Sequence, residues 1–149
     1  MLTLLLSLSL LNPLSLIPSS GQIPAAEEAF RPSAIAVTED RLLLRFDIAP
    51  DTYMYKENLE LRLRGDGVNL ARFELPEGVM AEDEFFGQSE VYRGQMEVEL
   101  PLLRFPDSRN ATLQLHYQGC ADIGICYPPQ RRQIEVELMP IASTEVGNE

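Results

Sequence analysis

The chain has 149 residues, enough for one domain with a substantial core, and carries 12 basic against 23 acidic residues for a formal net charge of −11. The first 26 residues hold no ionisable side chain, so the whole of that charge sits on the remainder. Nucleic acid and anionic membrane surfaces are excluded as main partners, because both are recognised through basic patches.

The opening MLTLLLSLSLLNPLSLIPSSGQ has an apolar run from Leu2 to Leu11, a break at Asn12 and Pro13, and small residues at Ser19, Ser20 and Gly21. It reads as a secretory signal, residues 1–21, cut after Gly21, although no Lys or Arg precedes the run. A membrane-spanning helix needs about 20 apolar residues, and Pro13 stops this run well short of that. Export would deliver the chain to an oxidising compartment, where a disulfide persists.

Residues 22–140 form the predicted domain. After the lead-in IPAAEEAFRPSA, short segments repeat with a period of two. In RLLLRFDI, Leu42, Leu44, Phe46 and Ile48 share one face and Arg41, Arg45 and Asp47 the other. LELRLR sets Leu59, Leu61 and Leu63 against Glu60, Arg62 and Arg64, and MEVELPL sets Met96, Val98, Leu100 and Leu102 against Glu97 and Glu99. TLQLHY sets Leu113, Leu115 and Tyr117 against Thr112, Gln114 and His116, and IEVEL closes the series with Ile134, Val136 and Leu138. Such alternation suits strands with one buried and one wet face. The turn formers RGDGVN, LPEGV, FPDSRN and YPPQ separate the segments. The pattern predicts an all-β chain, an immunoglobulin-like sandwich of two antiparallel sheets, with a small barrel as the architecture that shares the signal. Residues 141–149 read as a tail or linker.

Both cysteines of the chain fall in YQGCADIGICYPP, as Cys120 and Cys126, with five residues between them and Gly124 in the connection. If the flanking strands pair, the two thiols face each other at the neck of a hairpin, within disulfide reach. Spacing leaves three readings open. A structural staple is the plainest, but closing a loop of about 7 residues contributes only about 2.4 kcal/mol in the chain-entropy model, against about 4.7 for a loop of 100. A metal site drawn from His116, Cys120, Cys126 and Asp122 is short of ligands, since the chain has a single histidine, which on its strand faces away from Tyr117. The third reading is a redox-active pair.

The same stretch resembles the active-site signature of the N-terminal periplasmic domain of the thiol:disulfide interchange protein DsbD of Gram-negative bacteria. EDEFFGQSEVYRG, Glu82 to Gly94, is similar to that family's cap-loop segment, and PDTYMYKENLELRL to its tyrosine-bearing strand. The likeness runs from about Phe30 to Leu138. It implies an immunoglobulin-like domain that needs no cofactor or metal and relays electrons through its two cysteines. A thioredoxin-like reductant domain would reduce it, and it would in turn reduce periplasmic disulfide isomerases and cytochrome c maturation thioredoxins, in association with an inner-membrane reductase. Carried over by motif, Cys126 forms mixed disulfides and Cys120 resolves them. Phe85 is the aromatic that covers the pair, followed by Phe86, with Asp83 and Glu84 beside it, and Tyr53 and Tyr55 line the site.

The residues supply a physical reason for that assignment. Asp122, and Asp83 and Glu84 if the cap lies over the sulfurs, surround them with negative charge, while no basic residue lies close in sequence except His116. A carboxylate about 6 Å away, at an effective dielectric near 20, disfavours a thiolate by about 2 to 3 kcal/mol and raises a thiol pKa by about two units. Such a thiol reacts poorly until a partner changes its surroundings. The competing class is a secreted sandwich that binds another protein and uses its disulfide for stability alone.

Overall fold

The computed structural model describes residues 22–142; the predicted signal and most of the predicted tail lie outside them. A four-residue helix, α1 (Ala26–Ala29), leads into β1 (Phe30–Thr38), β2 (Arg41–Ile48), β3 (Thr52–Tyr55), β4 (Glu60–Arg64) and β5 (Val68–Leu70). Then follow β6 (Val79–Asp83), β7 (Gly87–Tyr92), β8 (Gln95–Arg104), β9 (Asn110–Tyr117), β10 (Gly119–Ala121), β11 (Ile125–Cys126) and β12 (Gln130–Glu137). All paired strands run antiparallel. Among the described residues no helix is long and apolar enough to cross a membrane.

The predicted sandwich is formed by a four-stranded sheet, β1-β2-β8-β5, and a three-stranded sheet, β12-β9-β4. Its core is the set of alternating residues read from the sequence. Leu42, Leu44 and Phe46 of β2, Leu100 of β8 and Leu113 and Leu115 of β9 are all fully buried. Aromatic edges lock the layers together: Phe46 meets Tyr117 at 5.0 Å between ring centroids, and Phe30 meets Tyr117 at 5.9 Å and Tyr127 at 5.3 Å. On the wet face the charged alternates pair across strands, Arg41 with Glu99 and Arg45 with Glu97. Such exposed pairs contribute about 0 to 1 kcal/mol each, so the sandwich rests on its apolar side.

A further sheet, β11-β10-β3-β7-β6, carries the cysteines. It continues the three-stranded one: β9 passes through Gln118 directly into β10, and β3 pairs with β10 where β4 pairs with β9. The site is therefore built on an extension of a core strand. Gly119 marks the crossing point. A Cβ there would meet the Tyr53 carbonyl oxygen and lie 2.5 Å from the Phe30 ring, so only glycine lets β10 press against β3 and the core. Gly119→Ala is expected to destabilise the protein by about 1 to 3 kcal/mol through overpacking, read as a lower urea midpoint at unchanged slope.

Candidate functional site

The register β10–β11 places Cys120 directly opposite Cys126, as the hairpin reading required. The two are joined in a disulfide, with Cα atoms 3.9 Å apart. Asp122, Ile123 and Gly124 make the connection. The Gly124 amide donates to the Ala121 carbonyl at 3.0 Å, and Gly124 itself sits at φ +88°, the left-handed position that closes a three-residue hairpin loop. The two sulfur-bearing residues differ in access: Cys120, held between β3 and β11, is fully buried, while Cys126 is half-buried on the edge strand.

Tyr53 and Tyr55 point to the same side of β3, with ring centroids 5.5 Å apart. Both hydroxyls donate to Oδ2 of Asp83, that of Tyr53 at 2.8 Å. The Tyr55 oxygen also lies 3.3 Å from the Cys120 sulfur. The other carboxylate oxygen of Asp83 accepts the amides of Phe85 at 2.9 Å and Phe86 at 2.8 Å. One carboxylate thus ties the cap turn, between β6 and β7, to the tyrosine wall and through it to the disulfide.

Phe85 is 54% exposed and Phe86 45% exposed. Phe86 rests its ring on Tyr55, 4.7 Å between centroids, whereas Phe85 and Glu84 line a cleft of about 330 Å³ with the hairpin loop Ala121–Gly124 on its other side. Asp122 lines the same cleft but arrives paired: Arg93, in the turn after β7, donates to both of its carboxylate oxygens, at 3.1 and 2.9 Å. Arg93 also lies over the Tyr53 ring, 4.9 Å from its centroid. Proximity in sequence suggested a site without cations apart from His116; the fold corrects this, because β7 and β10 flank β3 on opposite sides and bring Arg93 to a residue 29 positions away. His116 itself is half-buried on β9, in register with Glu60 and Arg131.

The electrostatics follow the hydrogen bonds. Burial pushes the Asp83 carboxyl up, but the Tyr55 and Tyr53 hydroxyls and the two cap amides outweigh it and hold it below the usual carboxylate range. Tyr55 is pushed far above an ordinary phenol, first by burial and then by its bond to Asp83, and Tyr53 is raised for the same reasons. Both stay neutral donors throughout the physiological range.

The chain is similar to known proteins. The family model for the thiol:disulfide interchange protein DsbD, N-terminal, matches residues 20–138. The chain belongs to the DsbD N-terminal domain family. Thiol:disulfide interchange protein DsbD 1 of Pseudomonas aeruginosa is 36% identical over 130 residues, which cover 85% of this chain and 22% of that protein. The chain therefore spans about a quarter or less of the length of such relatives. Among solved structures, the Neisseria meningitidis DsbD N-terminal domain in its reduced form superposes with a TM-score of 0.67 at 34% identity, covering 77% of this chain and 90% of that one. A complex between the DsbD N-terminal and PilB N-terminal domains of N. meningitidis gives a TM-score of 0.61 at 29% identity, covering 80% and 94%.

Asp83→Asn is expected to bring the ionisation of Tyr53 and Tyr55 part of the way back toward an ordinary phenol, leaving the burial contribution, while Tyr92, at about 12, stays in place. Near-ultraviolet absorbance titration reads both. Because the Asp83 pKa is lowered in the folded state, its anchoring is present above the ordinary carboxylate value and lost as pH falls through the lowered one.

Proposed function

We propose that this domain is an exported thiol:disulfide oxidoreductase that passes two electrons at a time through Cys120 and Cys126. In this reading residues 1–21 direct it to the periplasm, a thioredoxin-like domain is its donor, and periplasmic disulfide isomerases and cytochrome c maturation thioredoxins receive the electrons. An inner-membrane reductase would supply the donor. Family membership supports the chemistry, and the observation that carries the roles is the difference in access between the two cysteines.

In the reductive half-reaction a donor thiolate attacks the Cys126 sulfur, the only one of the two with an exposed flank, and the S–S bond breaks with Cys120 leaving as a thiolate that takes up a proton. The Tyr55 oxygen lies 3.3 Å from that sulfur with its one proton given to Asp83, so it is placed to accept a hydrogen bond from the Cys120 thiol once that has taken up its proton. The donor's second thiolate then attacks its own sulfur in the mixed disulfide, releasing Cys126 and completing transfer of two electrons. In the oxidative half-reaction Cys126 attacks the client disulfide, and Cys120 attacks Cys126 to release the reduced client. Phe85 and Phe86 act as the shield, on a turn whose anchor is Asp83; the Asp83 and Glu84 carboxylates keep the reduced thiols protonated until a partner displaces that turn.

Cys120→Ser is expected to trap a mixed disulfide with a thioredoxin-like partner through Cys126, identified by non-reducing electrophoresis and peptide mass. Trapping that requires Cys120 instead, in the Cys126→Ser variant, would reverse the roles. A disulfide potential below about −300 mV would favour the purely structural bridge of a binding module, and one within the range of the exchange proteins favours the relay. Phe85→Ala is expected to speed oxidation of the reduced protein by a small disulfide, and an unchanged rate removes the shield.

A further inference from the structure

The turn that joins the two cysteine strands is held from two sides. The Asp122 amide donates to the Asp51 carbonyl at 2.8 Å, and the Asp122 carboxylate is gripped by both terminal nitrogens of Arg93. A two-pronged contact of this kind fixes the orientation of the carboxylate as well as its distance. The same guanidinium stacks on Tyr53, whose hydroxyl is bonded to Asp83. Arg93 thereby joins three parts of the site: the cysteine hairpin, the tyrosine strand and, through Tyr53, the cap anchor.

Its charge is as distinctive as its position. The charged groups facing the cleft are Glu82, Asp83 and Glu84 from the cap segment, Asp122 from the hairpin and Arg93, which is the one basic side chain among the lining residues. Tyr53 completes the wall on the β3 side, with Tyr55 buried behind it on the same Asp83 oxygen. None of the other arginines in ion pairs among the described residues, Arg41, Arg45, Arg62 and Arg132, lines this cleft.

We propose that Arg93 is a positioning residue for thiol–disulfide exchange, clamping the cysteine hairpin against Tyr53 and cancelling the charge of Asp122 in the loop between the two cysteines. This rests on the exchange reading above. The physical reason is that a thiolate forms on one cysteine or the other in each half-reaction, and Asp122 lies two residues from Cys120. An uncompensated carboxylate there would oppose both the leaving and the attacking sulfur, whereas the ion pair leaves the cap-segment carboxylates Glu82, Asp83 and Glu84 as the negative charge at the cleft.

The test compares Arg93→Gln, Arg93→Lys, Asp122→Asn and the double variant Arg93→Gln with Asp122→Asn in two measurements. The first is thiolate absorbance of the dithiothreitol-reduced protein against pH, with no partner present. The second is the pH profile of reduction of the disulfide by reduced thioredoxin. Arg93→Gln is expected to raise the thiol midpoint by about half a unit and to lower the plateau rate roughly threefold, on the scale of a half-exposed ion pair. The double variant should recover the native midpoint but keep the low plateau, since charge is balanced again while the clamp is gone. Arg93→Lys should keep the midpoint and lose plateau rate, because an ammonium does not engage both oxygens. A purely structural arginine would lower the melting temperature without this split. An unmoved midpoint in Arg93→Gln, a double variant that stays with the single one, or native plateau rates in the double and Lys variants overturns the proposal. Failure of the native protein to exchange with thioredoxin would instead count against the exchange reading, with the thiol titration still deciding the charge role of Arg93.

Discussion

The carboxylate of Asp83 is the joint on which the site is assembled. A carboxylate has two oxygens with about four lone-pair directions, and here all four hydrogen bonds are made, two from tyrosine hydroxyls and two from the backbone of the cap. The first pair reaches back into β3 and, through Tyr55, to the buried sulfur of Cys120. The second pair holds a turn whose aromatic side chains remain half in solvent. A strong set of charge-assisted bonds therefore carries a loop that has little apolar burial of its own, so the loop is placed by a polar anchor and not by the core.

Stability and reactivity are assigned to different parts of the same strand course. β9 puts Leu113, Leu115 and Tyr117 in the core, and Gly119 lets its continuation pair with β3 where a Cβ would collide with the Tyr53 carbonyl and the Phe30 ring. Cys120 follows immediately and inherits that rigidity. Cys126 lies across the hairpin on β11, which has β10 on one side and no strand on the other among the described residues. The rigid cysteine is the inaccessible one and the edge cysteine is the accessible one, an order imposed by the distance of each from the core.

Much of this was legible in the sequence, and the parts that were not share a cause. The five alternating segments became β2, β4, β8, β9 and β12, because each is long enough and half-buried enough for period two to show. The strand β1 was hidden in a lead-in containing Pro32, with Ala34 and Ala36 as its inward residues, and β5 began inside an expected turn at Val68. β6 carries Val79 and Met80 exposed, so its apolar residues follow no burial rhythm. β10 and β11, with three and two residues, are too short for any period. In the site, the cysteine pairing could be anticipated from a hairpin of the right length, and Tyr53, Tyr55, Asp83 and Phe85 from motif likeness. Arg93 could not: a lone arginine before Gly94 looks like an ordinary solvated turn residue, and its partner is distant in the chain.

The geometry also weighs on what the disulfide is for. A bridge between two residues already in register on a hairpin closes a loop of about 7 residues, which restrains the unfolded chain by only about 2.4 kcal/mol. The layers of this fold are held instead by the Phe30, Phe46, Tyr117 and Tyr127 aromatic cluster, to which the cysteines do not belong; Cys120 packs in a separate small cluster with Tyr53, Tyr55 and Val91. A bond placed for bracing would tie the two layers together, whereas this one ties neighbours at a sheet edge. Reducing it removes little from the core, so the two oxidation states can share one fold, which is the condition a cysteine pair must meet to be cycled.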